Sequence, residues 1–349
     1  MAQGDLDRTK LQALPKVLLH EHLDCSLRTS SMLEFWKDEY WRVPENFPAQ
    51  VQQLFEQGKS AEAALAYQDF LAAQASLSLA NYVTAIVHHV LPLMQSPSRL
   101  TRITRERLED AVADGVCALE LRFAPQLHTR AGLSLAQVMD AILAGLAGAE
   151  IPCKLTVCAL RHENADMARQ LADLCIANKE HVGVYDLAGD EKANPGVLLW
   201  WVKEALRVRE HGLQIETHLW ETDEPTDEDL VRLAEFEIQR LGHGMRGKRQ
   251  ENRILEVCPS SNVVTGQIRS IAEHPIDGLL REGKRVTVNT DGTLFTRSDL
   301  SNEYLLLNEH FGWGKPEFHA VNKTAVEASS FPQSVKTELY ASLDRAYGT

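Results

Sequence analysis

Lys16-Val17-Leu18-Leu19-His20-Glu21-His22-Leu23-Asp24 is an apolar run that ends in two histidines separated by one residue. The apolar part is typical of a buried strand. Side chains two positions apart along a strand point to the same side, so His20 and His22 can present both imidazoles to one ion. Two polar residues also end strands that bind no ligand. The pair therefore indicates a metal site only if other parts of the chain supply further ligands.

A repeated alternation of strand and helix follows this run. Seven further strand-like segments are predicted, at 116–122, 153–160, 182–187, 213–218, 237–242, 253–257 and 286–290. Helical patterns lie between them, at 104–114, 134–149, 164–178, 195–210, 227–235 and 272–282. Eight strands alternating with helices predict an α/β protein with a closed (β/α)8 barrel of the TIM type. An open doubly wound sheet is disfavoured because no G-x-G-x-x-G turn follows the first strand.

Two helical regions lie outside this alternation. Residues 60–91 are alanine-rich and predict helix after strand one, and residues 300–349 predict two or three helices at the C-terminus. The aromatic segment 40–55 is either a surface excursion packed on its own rings or a lid over the end of strand one. No internal repeat or shift in composition marks a boundary, so residues 1–349 are expected to form a single domain.

Composition and charge restrict the classes of partner. The 349 residues are 44% hydrophobic and carry a formal net charge of −13. An acidic surface repels phosphate backbones and anionic lipids, which argues against nucleic acid or a membrane as partner and favours a small molecule. The six cysteines form no Cys-x-x-Cys pair, as is usual for reduced thiols. No secretory leader or membrane-spanning run is visible, so a cytoplasmic location is expected.

Metal-binding residue types end several of the predicted strands. His20 and His22 end strand one, His218 ends strand five, His243 ends strand six and Asp291 follows strand eight. The carboxyl ends of barrel strands meet at one mouth. Three imidazoles and one carboxylate suit one Zn²⁺, although another divalent metal is possible chemically. We therefore expect His20, His22, His218 and Asp291 to be the ligands.

Two other side chains are expected to handle protons beside the ion. Glu221 lies three residues after a predicted ligand and is the candidate general acid. His243 is the candidate for holding the bound hydroxide and moving its proton. Strand four carries no lysine that carbamylation could convert into a bridge between two metals, so one ion is favoured over two.

Six motifs follow one another along most of the chain. They are His20-Glu-His22-Leu-Asp24, Asp186-Leu-Ala-Gly189-Asp190-Glu191, His218-x-x-Glu221, Gly242-His243-Gly244, Glu256-Val-Cys258-Pro259-x-Ser261-Asn262 and Asn289-Thr290-Asp291. In order and residue type they resemble the motifs of the adenosine deaminase family of metal-dependent amidohydrolases. The resemblance implies a zinc barrel that hydrolyses the 6-amino group of adenosine or 2′-deoxyadenosine, giving inosine or 2′-deoxyinosine and ammonia.

The resemblance also implies individual roles. Glu221 would protonate ring N1 while zinc hydroxide attacks C6, and His243 and Asp291 would orient that hydroxide. The backbone of Gly189 would meet purine N3. Asp24, together with His22, would lie near the ribose 5′-hydroxyl.

The chain departs from the family pattern at three places. Cys25 replaces the usual glycine after the first motif, the bulky pair Leu219-Trp220 replaces two small residues, and Gly292 replaces the aspartate that contacts purine N7. N7 must then meet water or another donor, and weak discrimination at that edge is expected. The ring of Trp220 and the aromatic residues between Trp36 and Phe55 are expected to supply stacking or apolar surface for the nucleoside.

Three alternative functions are compatible with these motifs. The first is deamination of another 6-aminopurine, such as adenine or aminodeoxyfutalosine. The second is metal-dependent phosphoester hydrolysis, because some phosphoesterases also begin with His-x-His, although they generally assemble more than one metal. The third is a family member without turnover, against which the intact Glu221 and His243 argue.

Overall fold

A computed structural model describes residues 6–222, 226–246 and 252–348 of the chain. Its strands form one parallel sheet in the order β1 to β8. The strands are β1 (Lys16–His22), β2 (Val116–Phe123), β3 (Cys153–Leu160), β4 (Val182–Ala188), β5 (Gln214–Leu219), β6 (Arg240–His243), β7 (Ile254–Val257) and β8 (Arg285–Val288). The predicted eight-stranded parallel barrel is confirmed.

The barrel closes through backbone contacts between β1 and the segment after β8. The N–H of His22 donates to the carbonyl of Asp291 at 2.7 Å, and the N–H of Asp291 donates to the carbonyl of His20 at 3.0 Å. The side chain of Asn289 accepts hydrogen bonds from the N–H groups of Leu19 and His20 at 3.2 and 3.1 Å. These bonds hold the two ends of the sheet together at the carboxyl end of the barrel.

Helices surround the barrel and extend it at two places. They are α1 (Arg8–Gln12), α2 (Thr29–Asp38), α3 (Ala49–Glu56), α4 (Ser60–Ala75), α5 (Leu79–Ala85), α6 (Pro97–Ala113), α7 (Leu135–Leu146), α8 (Ala165–Ala177), α9 (Leu199–Glu210), α10 (Asp227–Glu235), α11 (Pro259–Val264), α12 (Ile276–Arg281), α13 (Thr293–Thr296), α14 (Leu300–Phe311), α15 (Lys315–Ala328) and α16 (Gln333–Tyr347). The additional helices after β1 and at the C-terminus were both predicted. None of the described helices is long and apolar enough to cross a lipid bilayer.

Strand β6 begins three residues later than predicted, for a local reason. Glu237 adopts a left-handed φ of 51°, and the N–H of Ile238 donates back to the carbonyl of Leu233 at 3.0 Å. These features end α10 with a tight turn. Residues 237–239 therefore belong to the turn that ends the helix and not to the strand.

The aromatic segment 40–55 packs on the added helices. Phe47 lies against Trp36 of α2 and Tyr67 of α4, with ring centroids 6.5 and 4.9 Å apart. Trp41 packs against Phe55, at 5.7 Å. Of the two interpretations of this segment, the structure supports an excursion packed on its own rings.

Candidate active site

The side chains expected to bind metal converge at the carboxyl end of the barrel. The Nε2 atoms of His22 and His218 are 3.2 Å apart. Asp291 Oδ1 lies 3.5 Å from Nε2 of His20 and 3.5 Å from Nε2 of His22. Ligands about 2.0–2.1 Å from a tetrahedral ion are separated by roughly 3.3 Å. The observed spacing of these donor atoms therefore fits a single divalent cation.

Each of the three imidazoles has a carboxylate near its other ring nitrogen. His218 Nδ1 lies 2.8 Å from Asp186, His20 Nδ1 lies 3.3 Å from Glu256, and His22 Nδ1 lies 3.7 Å from Asp24. Such outer carboxylates fix the ring orientation and the tautomer of metal-binding histidines. They leave each Nε2 directed at the common centre.

A buried arginine supports these carboxylates from inside the barrel. The guanidinium of Arg122 lies 2.9 Å from Glu216, 2.8 Å from Glu256 and 3.4 Å from Asp186. Burial acts to raise the pKa of Asp186, but the contacts with His218 and Arg122 hold it below its usual value. Asp186 therefore remains an anion next to the imidazole of His218.

Glu221 and His243 face each other beside this cluster, with Glu221 Oε2 3.7 Å from His243 Nε2. Burial, reinforced by the nearby Asp291, raises the pKa of Glu221 well above its usual value, so the carboxyl group keeps its proton. Burial also lowers the pKa of His243 well below its usual value, so this imidazole is neutral. The pair therefore consists of a protonated carboxyl group and a neutral imidazole.

A chain of hydrogen bonds fixes which nitrogen of His243 carries the proton. The N–H of Ile276 donates to His274 Nδ1 at 3.2 Å, so His274 carries its own proton on Nε2. That nitrogen lies 3.2 Å from the carbonyl oxygen of Asn262, whose amide nitrogen is 3.2 Å from His243 Nδ1. His243 thus accepts at Nδ1 and directs an N–H at Nε2 toward Glu221. The sequence motifs contained Asn262 but gave no sign of the contribution from His274.

Three non-glycine residues at the ends of β5, β6 and β8 adopt left-handed backbone conformations. The φ angles are 59° for Trp220, 58° for His243 and 60° for Asp291. Such conformations cost about 1–3 kcal/mol each and persist where the surrounding structure enforces them. Their position at three strand ends on the same mouth of the barrel is typical of a functional site.

A cavity of about 260 Å³ opens onto these residues. His22, Asp24, Gly189, Glu221 and Asp291 line it, so the predicted substrate-binding residues share one pocket with the ligand cluster. Burial raises the pKa of Asp24 to about 6. The outer wall is apolar and comes from α5 and the two turns that follow it, through Leu79, Tyr82, Val83, Ile86, Val87 and Leu91.

The expectation that Trp220 and the aromatic residues 36–55 line the pocket is wrong. Trp220 is fully buried, and its indole nitrogen lies 3.4 Å from the carboxylate of Asp229 on α10. The left-handed backbone at Trp220 directs the ring outward from the barrel. Trp36 and Phe47 are occupied by packing among the added helices. The 60–91 region, predicted only as helix, supplies the wall instead.

Three further residues have positions that the sequence did not reveal. The carboxylate of Glu191 accepts hydrogen bonds from the N–H groups of Trp220, Glu221 and Thr222, at 2.6, 3.0 and 2.9 Å. Its neighbour Asp190 is exposed and accepts a hydrogen bond from the N–H of Lys192 at 2.9 Å. His162 and Arg130, which sequence analysis did not include in the site, stand at the pocket rim.

Fold and site together define a class of protein. A parallel eight-stranded barrel with three imidazoles and a carboxylate at its carboxyl end is the architecture of the metal-dependent amidohydrolases. Comparison with known proteins gives the family. The family model described as "Adenosine deaminase" matches residues 15–346, and this chain belongs to the adenosine deaminase family. The enzyme is accordingly a hydrolase that deaminates a purine.

Individual relatives agree with this assignment. An adenosine deaminase of Mycobacteroides abscessus is 35% identical over 360 residues, which cover 94% of each chain. The N6-methyl-AMP deaminase of Arabidopsis thaliana is 25% identical, with a TM-score of 0.79 over 97% of this chain and 99% of the other. An adenine deaminase of Arthrobacter aurescens shares the fold, with 19% identity and a TM-score of 0.80 over 97% of this chain and 99% of the other.

Proposed function

We propose that the enzyme is a zinc-dependent deaminase of adenosine and 2′-deoxyadenosine, producing inosine or 2′-deoxyinosine and ammonia. The observation that carries the proposal is the position of Glu221, whose carboxyl group lies 3.7 Å from His243 Nε2 beside the candidate metal ligands, where burial raises its pKa well above the usual value. A deaminase needs such an acid, because attack at C6 places charge on the ring unless N1 receives a proton. The reaction of a phosphoesterase involves no ring nitrogen of the substrate that must be protonated.

His20, His22, His218 and Asp291 would hold one Zn²⁺. When bound, the ion supplies Lewis acidity that makes water nucleophilic at neutral pH. Three imidazoles and one carboxylate suit zinc better than magnesium or calcium, which prefer ligands made only of oxygen. The carboxylates behind the imidazoles keep the Nε2 lone pairs available.

Glu221, His243 and Asp291 have separate roles in transferring protons and positioning the attacking water. Glu221 donates its proton to N1 as water adds to C6, and C6 becomes tetrahedral. His243 orients the attacking water through the N–H at Nε2. Asp291 accepts a hydrogen bond from the Ser261 hydroxyl at 2.5 Å, which leaves its other oxygen for the centre. One proton of the added water passes to the amino nitrogen, the C6–N6 bond breaks and ammonia leaves. The other proton returns to the Glu221 carboxylate as C6 becomes a carbonyl.

Asp24 favours a nucleoside over a nucleotide. Its carboxylate is buried at the pocket wall and lies 3.7 Å from His22 Nδ1. A ribose 5′-hydroxyl can donate a hydrogen bond to this group. A 5′-phosphate would place like charges together, which costs several kcal/mol. For this reason we place AMP and N6-methyl-AMP, the kind of substrate named for the plant relative, behind adenosine.

The test is a set of kcat/KM values measured by ultraviolet absorbance for adenosine, 2′-deoxyadenosine, adenine and AMP. The two nucleosides should exceed AMP by about 100-fold or more, since several kcal/mol corresponds to at least that ratio. Glu221→Gln should lose about 10²–10⁴-fold in kcat with its bound metal unchanged. Preference for AMP or adenine would contradict the substrate assignment, and near-normal turnover by Glu221→Gln would contradict the role of the acid.

A further inference from the structure

The hydroxyl group of Tyr82 lies in the pocket wall without an adequate partner. Tyr82 belongs to α5, is 4% exposed and lines the same cavity as Glu221 and Asp291. Among the described residues, its hydroxyl has no hydrogen-bond partner with regular geometry. The Cys25 thiol lies beside it, but sulfur is only a weak donor and acceptor. A buried hydroxyl in this situation is unusual and indicates a partner supplied by a ligand.

The position of this hydroxyl explains the glycine at 292. A Cβ atom placed on Gly292 would lie 2.2 Å from the Tyr82 oxygen and 2.5 Å from the Cβ of Cys25. Tyr82 therefore occupies the space into which a side chain at position 292 would extend. The ring of Phe295 packs against the Tyr82 ring at a centroid distance of 4.8 Å and holds it there. The phenol of Tyr82 thus fills the space that an aspartate side chain at position 292 would need.

We propose that the Tyr82 hydroxyl donates a hydrogen bond to N7 of the bound purine and serves as a recognition residue for substrate. This inference rests on the proposed function. A 6-aminopurine offers two ring acceptors on either side of C6, namely N1 and N7. Glu221 follows β5 and takes N1, whereas Cys25 and Gly292, which flank Tyr82, follow β1 and β8.

The order of the strands supports this placement. Strand β1 lies four positions from β5 around the barrel, so the two strands are on opposite sides of the mouth. A purine with C6 at the centre and N1 at Glu221 then turns its N7 edge toward Tyr82. Because burial raises the pKa of Tyr82 well above its usual value, the hydroxyl remains a proton donor. A neutral donor suits N7, which carries a lone pair and no hydrogen.

The test is a double-mutant cycle between Tyr82→Phe and 7-deazaadenosine, in which a C–H group replaces N7. Tyr82→Phe should lower kcat/KM for adenosine by about three- to tenfold, the usual effect of a neutral hydrogen bond. The same variant should change kcat/KM for 7-deazaadenosine by less than about twofold. Any intrinsic difference in reactivity between the two compounds cancels in the ratio of ratios, which isolates the contact.

Tyr67→Phe is the matched control. Tyr67 is buried as well, but its hydroxyl accepts from the indole N–H of Trp36 at 3.1 Å and lies 3.1 Å from His89 Nδ1, outside the pocket. Its removal should lower the melting temperature and leave the ratio between the two nucleosides unchanged. Tyr82→Phe should show the reverse, a changed ratio and a melting temperature within about 1 °C of wild type, because no regular bond is lost.

The outcomes separate this inference from the function on which it rests. Equal loss on both nucleosides, or no loss on either, in a wild-type enzyme that deaminates adenosine would overturn only the role of Tyr82. Failure of the wild-type enzyme to deaminate both adenosine and 2′-deoxyadenosine would overturn the proposed function and this inference together.

Discussion

The carboxyl group of Glu303 is enclosed within the protein, next to α11, which follows β7. It lies on α14, is fully buried, and accepts a hydrogen bond from the N–H of Ser260 at 3.1 Å. Burial raises its pKa to about 7 from the usual 4.5. Between these two values the folded protein retains a proton that the unfolded chain releases. Stability therefore falls as pH rises through this window.

Glu303→Gln should remove this pH dependence. The difference between the folded and unfolded pKa corresponds to about 3 kcal/mol of destabilisation of wild type above pH 7. We expect the variant to melt several degrees higher than wild type at pH 8, and close to wild type at pH 5, where Glu303 is protonated and equally uncharged. Glu309→Gln, on the exposed side of the same helix, is the control, and its effect on the melting temperature should be the same at pH 5 and pH 8. An effect of Glu303→Gln that is equal at pH 5 and pH 8 would disprove the assignment.

The loop after β5 holds the candidate general acid in position. It carries Glu221, and its three successive N–H groups at residues 220–222 converge on the single carboxylate of Glu191. Hydrogen bonds from several N–H groups to one carboxylate are strong because the acceptor is ionised. The loop thereby holds Glu221 opposite His243 although Trp220 is in a left-handed conformation.

Loosening this anchor should reduce turnover. Glu191→Gln places amide hydrogens against the loop N–H groups, and a displacement of about 1 Å in a reacting group can cost about 10²-fold. We expect kcat to fall about 10- to 100-fold with metal content retained and KM altered much less. Asp190→Asn, on the exposed neighbouring residue, should leave kcat near wild type. Comparable losses in both variants would mean that the loop responds to charge in general and not to this anchor.

The sequence predicts where the candidate ligands lie at the strand ends, but it predicts neither the direction of the Trp220 ring nor the wall of the pocket. The ligand positions at the ends of β1, β5 and β8 were predictable. Each ligand ends or follows an apolar run that predicts a strand, and the carboxyl ends of the strands of a barrel meet at one mouth. The direction of the Trp220 ring was not predictable. The left-handed backbone conformation at this residue turns the ring away from the side that regular strand alternation predicts. The pocket wall was not predictable either. Segments 40–55 and 79–91 are both apolar, and only packing against the rest of the molecule decides which one covers the cavity.

At the scale of the whole molecule, the candidate ligands join distant strands. His20 and His22 lie on β1, His218 lies on β5, and Asp291 follows β8. A bound ion therefore fastens opposite sides of the barrel to one another. A ligand that binds only the folded state stabilises it, by about 2.7 kcal/mol at a concentration 100 times Kd.

Removal of the ion should lower both activity and thermal stability. We expect chelation to abolish deamination and reduce the melting temperature by several degrees, and one equivalent of Zn²⁺ to restore both. His218→Ala is the matched variant, whose melting temperature should respond far less to chelator or to zinc. Full activity in protein shown by elemental analysis to be metal-free would contradict the proposal.

The closure of the barrel has a consequence for how the protein is made. Asn289 supports the backbone of His20 although the two residues are 269 positions apart. During synthesis, the first two imidazoles leave the ribosome long before the strand that completes their surroundings. A nascent chain would therefore carry only two of the four candidate ligands through most of translation. Binding of the proposed ion would follow the emergence of the final strand and would thus mark completion of the barrel.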